Sequence, residues 1–491
     1  MDSGNIPYIP QAVSAVDRDA EGDTTAHASR LWQDAAAAFA LALRWKVERN
    51  TSYADAAADI LTAWAESLTS LGANDDQYLV AGLQGHELAN AGELLRDYAP
   101  FQKSGLASFQ TMMQHVFLEK NLYFLNHLAG SEHNVKHFFA NWELAQVAST
   151  MAIGVLTDNK TTWDFAVNYF KNGTGNGAIN NAITNIVEEP GTGRPLGQGQ
   201  EEGRDQGHSS LDYALLGVIA QQAWNQGEDL FAYNDSRILL GAEYFARYNL
   251  GYDVPFESYT NGIVSYPEIS SQSRGSVRWA WEVLYNHYVK IKGQSAPWTT
   301  QYWNKSLETF GGVEIGSGAY GSPLSSGYYD TMGWGTILYH LDDTDVAAAR
   351  AFYRSSSNVT VSASAPYSSA PYSSAPYSSA PYSSAPYSSA PYSSTPYSRA
   401  PYSRVQLPSS VQNSSNQPSS ATQATLSPSS NSPPSLVGAA PPAAPEGCRN
   451  AAFPTSRGSE ALAADSNKQE PRRRPWSHNL RAHGNAHGHT H

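Results

Sequence analysis

The sequence predicts an all-α globular region followed by a long tail that cannot build a core. Three observations carry that prediction. First, up to about residue 354 the chain is rich in Ala, Leu, Trp and Tyr, and apolar residues recur there at helical spacing while alternating strand patterns are scarce. Second, from Ser355 onward Ser, Pro, Ala and Tyr dominate, with too few aliphatic side chains to pay for ordering. Third, the charge divides at the same point: the upstream part holds 22 basic and 40 acidic residues and sits near −18. So acidic a region is a poor general partner for nucleic acid, and it binds a polyanion only through locally placed cations. A run of 491 residues fits one large domain plus a second region, here divided as a lead-in over 1–25, a helical domain over 26–354 and a tail over 355–491.

The elements follow in order. Residues 1–25 read as extended. In Ser52–Leu71, Ser52 suits the N-cap and Gly72 the C′ position, with Ala57, Ile60, Leu61, Trp64, Leu68 and Leu71 on one face. Comparable helical segments are His86–Tyr98, Leu106–Leu128, Trp142–Leu156, Thr162–Lys171, Ser209–Gln226, Asp235–Tyr248 and Arg278–Lys292. Two long loops, Asn172–Gly207 and Gly251–Ser273, are expected to form functional rims on this scaffold. Downstream, the unit APYSS recurs eight times with minor variation between Ala365 and Arg404; a proline in every unit forbids a helix, which favours a disordered linker over a structural wall or adhesive role. The final RAHGNAHGHTH could hold a metal through His483, His487, His489 and His491, although His-rich ends are usually incidental.

The single cysteine, Cys448, excludes an intrachain disulfide. No apolar run is long enough for a membrane span, and the start of the chain shows no signal peptide. The six N-x-S/T sequons of the globular part, at Asn50, Asn159, Asn172, Asn234, Asn304 and Asn358, nevertheless lean towards an extracellular glycoprotein, so the start is expected to be truncated or misassigned.

The stretch richest in chemistry is Gly197–Tyr213, GQGQEEGRDQGHSSLDY, which sets Glu201, Glu202, Arg204, Asp205 and His208 before an apolar helix. Ser209 with Asp212 has the form of a capping box, which leaves Arg204 and His208 unexplained. Asn141 opens a helix directly before Trp142 and has a plain N-cap as its competing reading. His86–Glu87 begins an HExxH pattern, but Asn90 stands where the second His belongs, so a metalloprotease is rejected. Trp32, Trp64, Trp142, Trp281 and Trp298 serve equally as core residues or sugar platforms.

GQxQExGRDQGH, AWNQGEDLFAYNDSRILLGAEYFARYNLG and VPFE resemble the alginate-lyase-like superfamily, nearest the group acting on alginate and glucuronan. HELANAGELLR (86–96), NWELAQVASTMAIGVLTDN (141–159), RGSVRWAWEVLYNHY (274–288) and DTMGWGTILYH (330–340) extend the resemblance over roughly 25–345. It implies an (α/α) toroid with a deep groove or tunnel. It also implies β-elimination on a uronate polymer, with Asn141, His208 and Arg278 neutralising the carboxylate and Tyr285 as base and acid. Gln200, Arg204, Arg274, Tyr288 and Trp142 are then substrate-binding candidates. Arg278 and Tyr285 lie seven residues apart, two turns of helix, and so can face one side; Trp279 stands where the family pattern has an apolar or Pro residue, which leaves the register against Tyr288 open. Tyr213 and Tyr266 are the reserves.

A lyase of this kind must neutralise the uronate carboxylate because removing the C5 proton creates a dianion. Side-chain donors suffice for that, so no cofactor or metal is expected, and the chain is expected to act as a monomer on a polyuronate without nucleic acid or membrane. Two alternatives remain. One is a toroidal glycoside hydrolase using Glu201, Glu202 or Asp205; the other is a non-catalytic sugar-binding wall protein.

Overall fold

Helix follows helix along the chain, and their contacts sort them into two concentric layers. The computed structural model describes residues 5–18, 27–72, 74–129, 134–319 and 321–357. The APYSS repeats, Asn358, Cys448 and the His-rich end lie outside the described residues. The helices are α1 (Ala28–Glu48), α2 (Thr51–Ser67), α3 (Asp76–Leu94), α4 (Ala99–Ser104), α5 (Leu106–Met112) and α6 (Glu119–Leu125), the last two joined by a π-helical turn at Met113–Leu118. Then come α7 (Ala140–Leu156), α8 (Lys160–Asn172), α9 (Ile179–Ala182), α10 (Gln206–Asn225), α11 (Tyr233–Asn249) and α12 (Glu282–Tyr285), which continues as a π-helical turn over Asn286–Ile291. The last are α13 (Pro297–Thr309), α14 (Gly335–Tyr339) and α15 (Asp343–Ser357).

Successive inner helices α1, α3, α7, α10 and α12 pack each on the next, and each is backed by an outer one: α2, the α5–α6 segment, α8, α11 and α13. This is the (α/α) toroid that the resemblance implies. Burial separates the layers physically. In α3, 16 of 19 residues are buried, and in α7, 15 of 17. In outer α8 only four of 13 are buried, along one stripe of Thr162, Ala166, Tyr169 and Phe170.

Where α3 meets α7 the backbones nearly touch. A Cβ added at Gly82 would lie 2.7 Å from the Ala145 Cβ, and one at Gly85 would strike the Ser149 hydroxyl. Buried amides rivet the same seam: Gln146 donates to the Tyr78 carbonyl (2.6 Å) and accepts from Asn121 (2.6 Å), while Ser149 donates to the Ala81 carbonyl (3.0 Å). At the other side of α1, buried Asp34 accepts from the Trp64 indole (2.7 Å), the Tyr8 hydroxyl (2.9 Å) and the Gln11 amide (2.7 Å), tying the lead-in to two helices.

Several expected boundaries move. The N-cap of α2 is Asn50, whose side chain accepts from Ser52 N, so Ser52 lies inside the helix. That helix ends at Ser67, because Ser70–Leu71 (β2) pairs in parallel with Ala15–Val16 (β1). The six residues assigned to its apolar face are nonetheless all buried. Helix α3 begins ten residues before His86. The loop Asn172–Gly207 contains an antiparallel hairpin, Ile183–Glu188 (β3) with Pro195–Gly199 (β4), and Gly251–Ser273 contains a shorter one, Tyr259–Thr260 (β5) with Ser265–Tyr266 (β6). Residues 274–281 are not regular helix, so Arg278 and Tyr285 do not share one; α12 starts at Glu282, where the buried Glu314 carboxylate accepts the Trp281 and Glu282 amides at 2.8 and 2.7 Å. Among the described residues no helix is long and apolar enough to cross a membrane.

Candidate active site

Strand β4 delivers residues 200–204 into a tight turn against the start of α10. The cap of α10 is Asp205, whose extended backbone (φ −171°, ψ 158°) lets one carboxylate oxygen accept from His208 N at 2.9 Å. Ser209 and Asp212 therefore form no capping box: Ser209 Oγ donates back to the Asp205 carbonyl and Asp212 is buried one turn further on. The second Asp205 oxygen lies 2.5 Å from His208 Nδ1, and Arg204 Nη2 lies 3.1 Å from His208 Nε2. A guanidinium can only donate, so Nε2 must accept, and Nδ1–H must donate to Asp205. Burial pushes the Asp205 carboxyl up, but the His208 ring and then Arg204 outweigh it and hold it below its usual value.

Glu201 is the hub. Its Oε2 pairs with Arg204 Nη1 at 2.8 Å, and its Oε1 accepts both the backbone N (2.8 Å) and the Nδ2 (2.7 Å) of Asn141. Gln200 Oε1 accepts from Ala140 N at 3.0 Å. The first amides of α7, which have no partners within their own helix, are thus satisfied by a turn 60 residues away. Phe139, not Asn141, occupies the N-cap position of α7, and its ring carries the Arg204 guanidinium at 3.9 Å.

Tyr266 closes the cluster from β6. Its Cβ sits where any side chain on Gly203 would have to go, and its ring stacks on Tyr259 (6.5 Å, 18°). Burial pushes the Tyr266 phenol up to about 12, against the pull of neighbouring Arg204. Tyr259 in turn lines an open cleft of about 380 Å³ with Lys136, Asn181, Thr184, Thr260 and Asn261. Beneath the turn, burial raises Glu202 to about 7 even though Tyr213 donates to it at 3.1 Å. Burial, and then the adjacent Glu201, hold Asp212 well above the ordinary carboxyl value. Glu201 and Asp205 are therefore each paired with neighbours around the turn and Glu202 is fully buried beneath it, which disfavours a hydrolase built on two of them.

The structure brings Asn141, Gln200, Arg204 and His208 together, but not the candidates from 274–288. Arg274 donates to the Tyr248 and Tyr252 carbonyls (2.8 and 3.1 Å) and covers the Tyr248 ring. Arg278 donates to Ser210 Oγ (3.3 Å) and the Gly327 carbonyl (3.0 Å) and lies 3.7 Å from Asp330, bracing α10 against the C-terminal loop. Tyr285 stacks on Trp303 of α13 (3.7 Å, 6°), and buried Tyr288 donates to the Phe231 carbonyl (2.9 Å). The pairing of Arg278 with Tyr285 fails because the two turns of helix it needs do not exist there. Of the reserves, Tyr213 is core and Tyr266 is at the cluster. Trp32, Trp64 and Trp281 are core residues, while half-buried Trp142 stacks on Phe138 and Phe124.

Glu201 as hub, Phe139, Tyr259 and Lys136 were not singled out from sequence. Only the Asp205–His208 spacing carried a readable signal, an acid three residues before a His at a helix start. Among the described residues no group of three or more His, Cys, Asp or Glu side chains is gathered as a metal site needs.

No curated protein matches the chain. A family model described as alginate lyase matches residues 5–253, slightly more than half of the sequence. The matched span holds Asn141 and the whole turn from Gly197 to His208, and it stops before Tyr259, Tyr266 and the segment 274–288. With an (α/α) toroid in which the starts of α7 and α10 meet at that turn, the chain belongs to the alginate lyase family and is a polysaccharide lyase of polyuronates.

Proposed function

We propose that the protein cleaves a polyuronate of the alginate or glucuronan type by β-elimination at the Asn141–Arg204–His208–Tyr266 cluster. The observation that carries the reading is the convergence of a cation, an Asp–His pair and a protonated phenol on one turn. Arg204, with Asn141 beside it, meets the uronate carboxylate and disperses the charge that builds on it as the C5 proton leaves. His208 is polarised by Asp205 and presents Nε2 as acceptor once the substrate carboxylate draws Arg204 away, so it takes the C5 proton. The electron pair forms the C4–C5 double bond, the C4–O4 bond breaks, and the departing oxygen takes the Tyr266 proton. A phenol pushed up to about 12 keeps that proton at neutral pH, which suits an acid better than a base. The base role assigned from spacing to Tyr285 passes to His208. A reading in which Tyr266 is both base and acid draws on the Arg204 contact, which favours the phenolate.

The sequons support secretion. The catalytic domain is proposed to end near residue 354. The test is a panel of glucuronan, mannuronate-rich and guluronate-rich alginate, followed by absorbance of the unsaturated product, with the full chain and with a chain ending at Ser357. Equal rates for the two and an absorbing product on at least one polymer are expected. Reducing ends without absorbance would mean hydrolysis and overturn the elimination. Slower turnover by the shorter chain would overturn the domain division.

A further inference from the structure

The cleft beside Tyr259 has a cation, Lys136, in its wall. Half-buried Lys136 has its backbone held on both sides: its N–H donates to Asn134 Oδ1 (2.9 Å) and its carbonyl accepts from Asn261 Nδ2 (2.9 Å). Its ammonium has no hydrogen-bond or ion-pair partner among the described residues. Burial lowers its pKa, and the charged groups that face it are Glu143 of α7 and His127. Glu143 does not satisfy it, because that carboxylate is fully buried and accepts from Tyr169 OH (2.9 Å) and Gly177 N (2.7 Å). An ammonium that has already lost part of its hydration, in a region of strongly negative net charge, gains from an incoming anion. The cleft, about 380 Å³, has the size of a small-ligand site. The Tyr259 ring that forms its wall is the same ring that stacks on Tyr266 at the cluster.

We propose that this cleft is a further saccharide subsite, in which Lys136 pairs with the carboxylate of a uronate one or more residues along the polymer from the one that is cleaved. The subsite rests on the polyuronate reading above and adds to it a demand for a second charged sugar. Polymer stretches whose carboxylates are masked, or whose neighbouring sugar is neutral, bind poorly on this account.

The test uses the full chain and a polyuronate oligomer, with Kd measured by calorimetry alongside turnover. Lys136→Met should weaken binding roughly tenfold, the worth of a hydrogen bond to a charged group, and raise KM by a similar factor with a far smaller change in kcat. Lys136→Arg should restore most of the affinity. On a methyl-esterified oligomer both proteins should bind more weakly, because the ester also masks the carboxylate that Arg204 meets, but the wild type should lose roughly tenfold more than Lys136→Met. Circular dichroism checks that each variant is folded. Equal affinity of wild type and Lys136→Met for the charged oligomer overturns the subsite, as does an equal loss on esterification in both. If the oligomer binds in a Lys136-dependent way but no unsaturated product forms, the subsite stands and the elimination falls. No binding of any polyuronate by the wild type overturns the subsite.

Discussion

Two segments of this chain look equally eligible for chemistry, Gly197–His208 and Arg274–Tyr288. Each holds at least one arginine beside a proton-transfer residue at helical spacing, yet they end up doing different things. In the first, a strand, a tight turn and an N-cap hold Glu201, Arg204, Asp205 and His208 in mutual contact, with two of them linked directly to Asn141 or Phe139. In the second, both arginines are spent on backbone carbonyls and both tyrosines on packing or a carbonyl. The difference teaches that spacing has meaning only on a backbone already known: an i, i+7 pair shares a face only if the helix runs through both positions.

The largest effect should separate the two segments outright. His208→Ala is expected to lower kcat by ~10²–10⁴, the usual worth of a positioned acid–base group, with the melting temperature little changed. Arg274→Ala should instead lower the melting temperature while the folded fraction turns over at close to the normal rate. Steady-state kinetics with thermal unfolding decide it; an Arg274→Ala protein of full stability and no activity would reverse the assignment.

Within the second segment the tyrosines should differ from one another. Tyr288→Phe leaves the Phe231 carbonyl unpaired in the interior, at a cost of about 1–3 kcal/mol in denaturant unfolding. Tyr285→Phe keeps its stack on Trp303 and should cost much less in stability and little in turnover. A large loss of kcat in Tyr285→Phe with stability intact would return the catalytic tyrosine to this segment.

The smallest effect lies in pH. Glu202, under the active turn, is raised by burial to about 7, so the folded state holds its proton more tightly than the unfolded chain does. Its contribution is present below the ordinary carboxyl range and is lost as pH rises through about 7. Unfolding midpoints from pH 4.5 to 7.5 should therefore decline less in Glu202→Gln than in the wild type. Parallel curves would show that Glu202 ionises in the folded protein at the ordinary carboxyl value.

The helical class, the apolar face of α2 and the importance of the GRDQGH turn were readable because each rests on local spacing or on a contiguous motif. The grouping of Asn141 with Arg204 was available only through resemblance, since 60 or more residues separate them. What could not be read depends on partners far along the chain. Whether Ser52 or Asn50 caps α2 is decided by where the backbone turns helical, which is directly after the extended Asn50. That α12 begins at Glu282 is decided by Glu314, more than 30 residues downstream, accepting its first amides. Tyr259 and Lys136 sit in segments with no periodicity at all, where a hairpin and bridges from Asn134, Asn176 and Asn261 give them a place.

The glycine seam between α3 and α7 has a consequence for how such a toroid tolerates change. With the Ala145 Cβ 2.7 Å from where a Gly82 side chain would begin, the clearance there is already used up. Even alanine at Gly82 would have to wedge the two inner helices apart, and that displacement would pass to Asn141, one turn from Ala145 at the start of α7. In a saturation library selected only for activity, Gly82 and Gly85 should therefore be depleted of variants as strongly as His208, although neither touches a sugar. Loss at the glycines would appear as insoluble protein, whereas loss at His208 would appear as soluble, inactive protein.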